Sequence, residues 1–122
     1  MPNHFNVRET RSGDTVTVSC TGELDIATAP DVEKTIRVVL GENPPKTLEL
    51  DWSGLTFMDS TGIRLLLTIV KRSATLGVDL LWRLSEPAQR ALDAVGIHDD
   101  LLRRLGEISG PAETEPTGYS ST

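Results

Sequence analysis

Cysteine occurs once in the 122 residues, at position 20, and histidine twice, at positions 4 and 98. A lone thiol closes no internal disulfide, so a reducing compartment suits the chain. With no Cys/His pair at ligand spacing, a zinc site of that type is not expected, which leaves only carboxylates as ligands for harder cations. No metal and no other cofactor is therefore expected. Basic residues are outnumbered, 12 Lys and Arg against 18 Asp and Glu, and the net charge of −6 has the wrong sign for binding nucleic acid or an anionic membrane. Long apolar runs are also missing. The greasiest region is cut by Thr68 and ends at Lys71, well short of the roughly 18 residues of a spanning helix. The opening Met1-Pro2-Asn3-His4-Phe5-Asn6-Val7-Arg8-Glu9 lacks the apolar stretch of a secretory leader, so a cytoplasmic location is expected.

What is present, 38% hydrophobic and 25% charged residues, is the composition of one ordinary globular domain, below the rough yardstick of about 150 residues per domain. Asp14 to Thr21 alternates Val16, Val18 and Cys20 with small hydroxyl residues, the pattern of a half-buried strand. Phe5, Val7 and Glu9 precede a Ser12-Gly13-Asp14 turn, which predicts an N-terminal hairpin. Thr28 then stands before Ala29, Pro30 and Asp31 in an N-cap pattern, and Val32, Ile36, Val39 and Leu40 give a helix over roughly 29–40 its apolar face. Pro44-Pro45 separates it from a strand over 46–52, with Leu48, Leu50 and Trp52 on one side. A second helix is expected from about Ser60 to Gly77, burying Ile63, Leu66, Leu67, Val70 and Ala74 and exposing Arg64, Thr68, Lys71 and Thr75. A strand over 78–84 follows, then a helix capped by Ser85 with Ala88, Ala91, Leu92 and Val95 inside, then a short helix around Leu101, Leu102 and Leu105.

This order predicts an α/β domain over 1–108: a small, mixed but mostly parallel β-sheet. Because its strands alternate instead of reading as continuous apolar runs, the helices should lie on one face and leave the other partly wet. From Ser109 to Thr122 the composition turns to Gly, Pro, Ser, Thr and Glu, which predicts a disordered C-terminal tail.

The stretch Thr56-Phe57-Met58-Asp59-Ser60-Thr61-Gly62-Ile63 runs from a strand through a short loop into the second helix. Free N–H groups in the first turn of a helix favour an oxygen or phosphate there, and Ser60 places a hydroxyl at that point. Helix capping by Asp, Ser or Thr, with Gly62 permitting tight packing, fits the same residues. Enzymatic use of Ser60 as a nucleophile finds no support: no His sits in a base motif, and the Gly-x-Ser-x-Gly elbow and the Gly-x-x-x-x-Gly-Lys phosphate loop are both absent. No catalytic residue is assigned.

Three segments taken in order, Thr21-Gly22-Glu23-Leu24-Asp25, Phe57-Met58-Asp59-Ser60-Thr61-Gly62-Ile63, and Leu84-Ser85-Glu86-Pro87 through Leu92 to Gly96, make the chain resemble the STAS domains over about Val7 to Leu105. Within that family it resembles the anti-sigma factor antagonists of bacterial partner switching. The resemblance implies a protein that, unphosphorylated, binds an anti-sigma factor serine kinase and so frees a sigma factor. Phosphorylation at Ser60 by that kinase would switch it off, and a serine phosphatase would restore it. Thr61 would be a neighbour of the acceptor, and Asp25 would lie at the partner surface.

Residue by residue, Asp59 either orients the Ser60 hydroxyl, meets the kinase or caps the helix, and Asp25 either meets the partner or closes the turn before Thr28. Gly62 is structural, letting the backbone approach closely, and with Asp25, Asp59, Ser60, Thr61 and Arg64 it belongs to the partner-binding set the resemblance implies. The family commonly continues with Leu-Gly where this chain has Ile63-Arg64, and Arg64 faces the partner, offsets the phosphate or is simply solvated. A phosphorylation-independent interaction module, or a subunit of a larger signalling assembly, is the competing reading. Monomer and homodimer are both left open, since Trp52, Trp82 or the strand faces can pack internally or against another copy.

Overall fold

Strand β2 (Thr15–Leu24) carries the valine alternation, with Val16, Val18 and Cys20 buried and Thr15, Thr17 and Ser19 half-buried on the opposite side. The computed structural model describes residues 5–108, so the tail expected over 109–122 lies outside the described residues. A turn through Gly13, whose φ of 60° suits a residue without a side chain, joins β2 to β1 (Asn6–Ser12) as the predicted antiparallel hairpin. Helix α1 (Ala29–Val39) follows, with Pro30 in its first turn, Asp31 near its positive end and Arg37 near its negative end. Its four predicted apolar positions, Val32, Ile36, Val39 and Leu40, are all buried.

Strand β3 (Thr47–Met58) pairs parallel to β2 and runs beyond the predicted end at Trp52. Register shifts between Ser19 and Thr21 and between Gly22 and Glu23 set extra β3 residues opposite β2. The burial period of β3 thereby changes from two to three, with Trp52, Leu55 and Met58 inside. That broken alternation is why the segment reads as a loop in the sequence. Gly54 lies at the first irregularity, where a Cβ would meet the Thr21 Cγ2 at 2.6 Å.

Helix α2 (Ser60–Thr75) returns over the sheet, and Gly77 at φ 74° ends it before β4 (Asp79–Leu84), which pairs parallel to β3. Helices α3 (Glu86–Ala94) and α4 (Asp99–Ile108) complete the described chain. The strand order β1-β2-β3-β4 moves in one direction, so right-handed crossovers place α1 and α2 on the same face. The mixed, mostly parallel sheet with its helices on one face is thus the predicted architecture.

Between sheet and helices sit Val16, Val18, Leu24, Leu48, Leu50, Trp52, Leu55 and Leu66, all 2% exposed or less. Each such side chain stabilises the fold by about 1.5–3 kcal/mol relative to exposure. Helix α2 lies between α1 and α4, so its buried face is wider than a single stripe. It takes in Leu65, Ile69 and Ser73, while the expected Leu67 and Ala74 are half-buried. Ser85 caps α3 as predicted, its Oγ accepting the Ala88 N–H at 3.2 Å. Val95, expected inside, is the C-cap of α3 and points into solvent, because the helix has already ended at Ala94. The uncovered sheet face is polar apart from Leu81: Thr17 donates to Glu49 at 3.2 Å, Arg83 donates to Glu49 at 3.3 Å, and Ser53 donates to Asp51 at 2.6 Å. The Ser53 hydrogen bonds hold the Asp51 carboxyl below its ordinary range.

Burial, with a smaller contribution from the Asp51 charge, pushes the Cys20 thiol up from 9.0 to about 12. The unfolded chain releases that proton above about pH 9 while the folded chain holds it until about 12. Stability from this group is therefore present below pH 9 and falls as pH rises through the window. Native protein is expected to resist thiol reagents, and urea midpoints should fall less steeply above pH 9 in Cys20→Val than in the parent chain. Rapid labelling of the folded protein would contradict the buried, protonated thiol.

Candidate functional site

The ends of β2 and β3 and the start of α2 meet at one corner of the sheet, through the Leu24–Met58 register pair. The Asp59 N–H donates to the Leu24 carbonyl at 3.3 Å, tying the entry of α2 to the last residue of β2. Asp59 is extended, with φ −107° and ψ −168°, and its Oδ1 accepts the Thr61 N–H at 2.9 Å. Its carbonyl accepts the Ile63 N–H at 3.2 Å. Of the roles open to Asp59, the structure shows the helix cap. It makes no hydrogen bond to the Ser60 hydroxyl among the described residues.

Gly62 is buried in this first turn, and its reason is space. A Cβ there would stand 2.5 Å from the Met58 Cγ and 3.0 Å from the Leu24 Cδ2. The turn thus lies directly on the two strand ends, and the position of the Ser60 backbone is set by the sheet. Ser60, the first residue of α2, is exposed, and its hydroxyl has no hydrogen-bond partner among the described residues. No acidic residue stands in the first turn itself. The positive end of this 16-residue helix is therefore offset only by its cap.

Asp25 lies just beyond Leu24 at the same corner. Its Oδ1 accepts the N–H groups of Ala27 at 3.0 Å and Thr28 at 3.2 Å, the turn-closing arrangement expected of an aspartate there. Thr28 occupies the N-cap position of α1 but does not cap it with its side chain. The Thr28 hydroxyl instead donates to the Glu23 carbonyl at 2.7 Å and accepts the Asp25 N–H at 3.0 Å, binding the loop to β2. Among the candidate residues, Asp25, Asp59, Ser60, Thr61 and Gly62 come together at this corner. Arg64 is exposed one helical turn beyond Ser60 and makes no ion pair among the described residues.

Two side chains have no role in the sequence reading: Ile26 is passed over, and Phe57 stands in the motif without one. Ile26 is 78% exposed in the turn after β2, and Phe57 is 46% exposed next to the end of β3. The Glu23–Phe57 and Leu24–Met58 register brings them to the corner that carries Ser60. Their signal in the sequence was apolar character at places where neither strand nor helix periodicity called for it.

Among the described residues, no group of three or more His, Cys, Asp and Glu side chains could hold a metal ion, and no helix is long and apolar enough to cross a membrane.

The STAS domain family matches residues 6–109. An anti-sigma factor antagonist from Mycobacterium paratuberculosis, 23% identical, superposes with a TM-score of 0.67 over 86% of this chain and 97% of that one. The anti-sigma factor antagonist SpoIIAA in its unphosphorylated form, 21% identical, gives 0.62 over 76% and 81%. SLC26A9, 16% identical, gives 0.64 over 80% of this chain but 18% of that one. At these identities the likeness is one of fold. No curated protein matches the chain.

Replacing Gly62 by Ala is expected to cost about 1–3 kcal/mol, because the Met58 and Leu24 side chains must give way. Loss of the cap in Asp59→Ala should cost about 0.5–2 kcal/mol, whereas Asp59→Asn, an equally good cap, should stay near the parent. Thermal unfolding of the three variants checks both statements. An Asn variant as unstable as the Ala variant would contradict the capping role.

Proposed function

The chain belongs to the STAS domain family, and on that premise we propose that it is an anti-sigma factor antagonist controlled by phosphorylation of Ser60. Unphosphorylated, it binds an anti-sigma factor serine kinase through the Ser60 corner, and a sigma factor is released. The kinase transfers the terminal phosphoryl group of ATP to the Ser60 Oγ. The bond to the ADP leaving group breaks, the O–P bond forms, and the hydroxyl proton is released. A serine phosphatase reverses the mark by adding water across that O–P bond, releasing inorganic phosphate. This chain performs no catalysis of its own and acts in the cytoplasm.

The observation that carries this reading is an exposed, unengaged serine hydroxyl on a turn locked to the sheet, at the same end of the sheet as two exposed apolar side chains. Ile26 and Phe57 supply the apolar contact that a protein interface concentrates at its centre. Between them and the helix start, a partner meets a neutral hydroxyl. Phosphorylation adds about −1.5 to −2 charges there. Within the chain, the positive end of the α2 dipole and Arg64 accommodate that charge, so the fold persists. At the interface, the same charge must lose water beside the Asp59 carboxylate and against a surface shaped for a neutral group. Each 1.4 kcal/mol of that penalty is about one tenfold loss of affinity. Arg64 therefore tunes the phosphorylated state, and Asp25 holds the turn that displays Ile26.

Incubation with ATP, magnesium and candidate anti-sigma serine kinases, followed by intact-mass measurement and peptide mapping, tests the proposal. One phosphoryl group on Ser60, absent in Ser60→Ala, is expected, with loss of the kinase complex on modification. Ile26→Asp and Phe57→Ala should each weaken the unphosphorylated complex by roughly tenfold or more while leaving the thermal midpoint unchanged. Modification elsewhere, or a complex indifferent to phosphorylation, would overturn it in favour of a phosphorylation-independent interaction module.

A further inference from the structure

The two edges of the sheet differ. Strand β1 exposes Arg8, Glu9, Thr10 and Arg11, charged and polar side chains that discourage another strand from adding there. Strand β4 ends the sheet on the other side with Asp79-Leu80-Leu81-Trp82-Arg83-Leu84. Backbone bonding fixes which groups face outward. The Asp79 N–H donates to the Lys46 carbonyl at 3.0 Å and the Ser85 N–H to the Trp52 carbonyl at 3.2 Å. Since backbone groups alternate sides along a strand, Asp79, Leu81 and Arg83 bond toward β3. Leu80, Trp82 and Leu84 present their N–H and C=O groups at the free edge.

We infer that β4 pairs antiparallel with β4 of a second copy of this chain, about a two-fold axis at Leu81. This interface goes beyond the Ser60 switch and does not depend on it. Antiparallel pairing requires outward-bonding residues to face each other, so Leu80 opposes Trp82 of the second copy, and the reverse, as hydrogen-bonded pairs. Leu81, 55% exposed on the uncovered face, then meets itself. Asp79 meets Arg83 of the second copy twice, once on each side of the axis. These are the closely spaced positions of an antiparallel ladder, with Cα atoms about 4.5 Å apart, where opposite charges attract and like charges repel most. Other registers lose this complementarity. Sliding one copy by two residues sets Arg83 against Leu81 or Gly77, and sliding by four toward the strand's C-terminal end sets Arg83 against itself.

Arg83 is available for this role. It already contacts Glu49 at 3.3 Å and Asp51 at 4.0 Å, yet its side chain is 64% exposed, and the second copy brings Asp79 to its other side. At the β4 edge, a groove beside α4 is lined by Leu80, Leu81, Trp82, Leu84, Asp99 and Arg103 among others, and the second copy's Leu80 and Trp82 extend its apolar row. The paired strands run in opposite directions, so the two Ser60 corners lie at opposite ends of an eight-stranded sheet. Both stay accessible.

Sedimentation of the full chain over a concentration series up to about 1 mM tests this directly. The parent should approach twice the 13.3 kDa of one chain. Asp79→Arg, Arg83→Asp and Leu81→Lys should each weaken association roughly tenfold or more, with thermal midpoints and Ser60 phosphorylation showing that the fold and the switch survive. An equimolar mixture of Asp79→Arg and Arg83→Asp should dimerise again, because each supplies the charge that the other lacks. A parent chain that stays monomeric throughout overturns the inference and makes α4 the cover of this edge. A dimer indifferent to all three substitutions overturns it as well.

Discussion

The first turn of α2 rests on the ends of β2 and β3 with no room for a side chain between them, and the rest of the molecule is arranged around that contact. Gly62 lets the backbone come down onto Leu24 and Met58. The Asp59 N–H closes the joint on the Leu24 carbonyl, and the Asp59 carboxylate closes it on the Thr61 N–H. Ser60 has no freedom left except in its own side chain. A phosphate added there would change the charge of a fixed surface, and the proposed switch needs no moving part.

Much of this was legible from residue spacing. The helix over 29–40, the threonine and valine alternation of β2, the Ser85 cap and the one-sided layering all follow from local rules that tertiary packing did not override. The second half of β3 was hidden because bulges replace its period of two with a period of three. Thr28 has the identity of a cap, yet its hydroxyl is captured by the Glu23 carbonyl, a contact made with β2, outside the helix it precedes. The width of the buried face of α2 depended on neighbours on both sides, which no single-helix pattern reveals. Of the site, the positions of Ser60, Asp59 and Gly62 were readable as a motif. Ile26 and Phe57 were not, since an exposed apolar residue acquires meaning only when the register places it beside another.

Two of the places where apolar side chains are exposed carry separate proposed uses. At the α2 corner Ile26 and Phe57 lie near the hydroxyl proposed as the phosphorylation site, so on that proposal association there is reversible by chemistry. At the β4 edge the apolar surface is framed by Asp79 and Arg83, so the inferred association there is selected by register. The contrast with β1, which carries Arg8, Glu9 and Arg11, shows that the fold tolerates a guarded edge on one side and an open one on the other. Neither surface coincides with the buried core, and substitutions at either should act on binding before stability.

The central claim is that phosphorylation at Ser60 acts by charge on an unmoved surface. Backbone amide chemical shifts of the phosphorylated and unphosphorylated chain test it most directly. The expected result is a set of changes confined to Leu24–Ala27 and Phe57–Arg64, with the rest of α2 and the sheet unchanged. Shifts spreading through β2, β3 and α2 would show a rearrangement and contradict the claim.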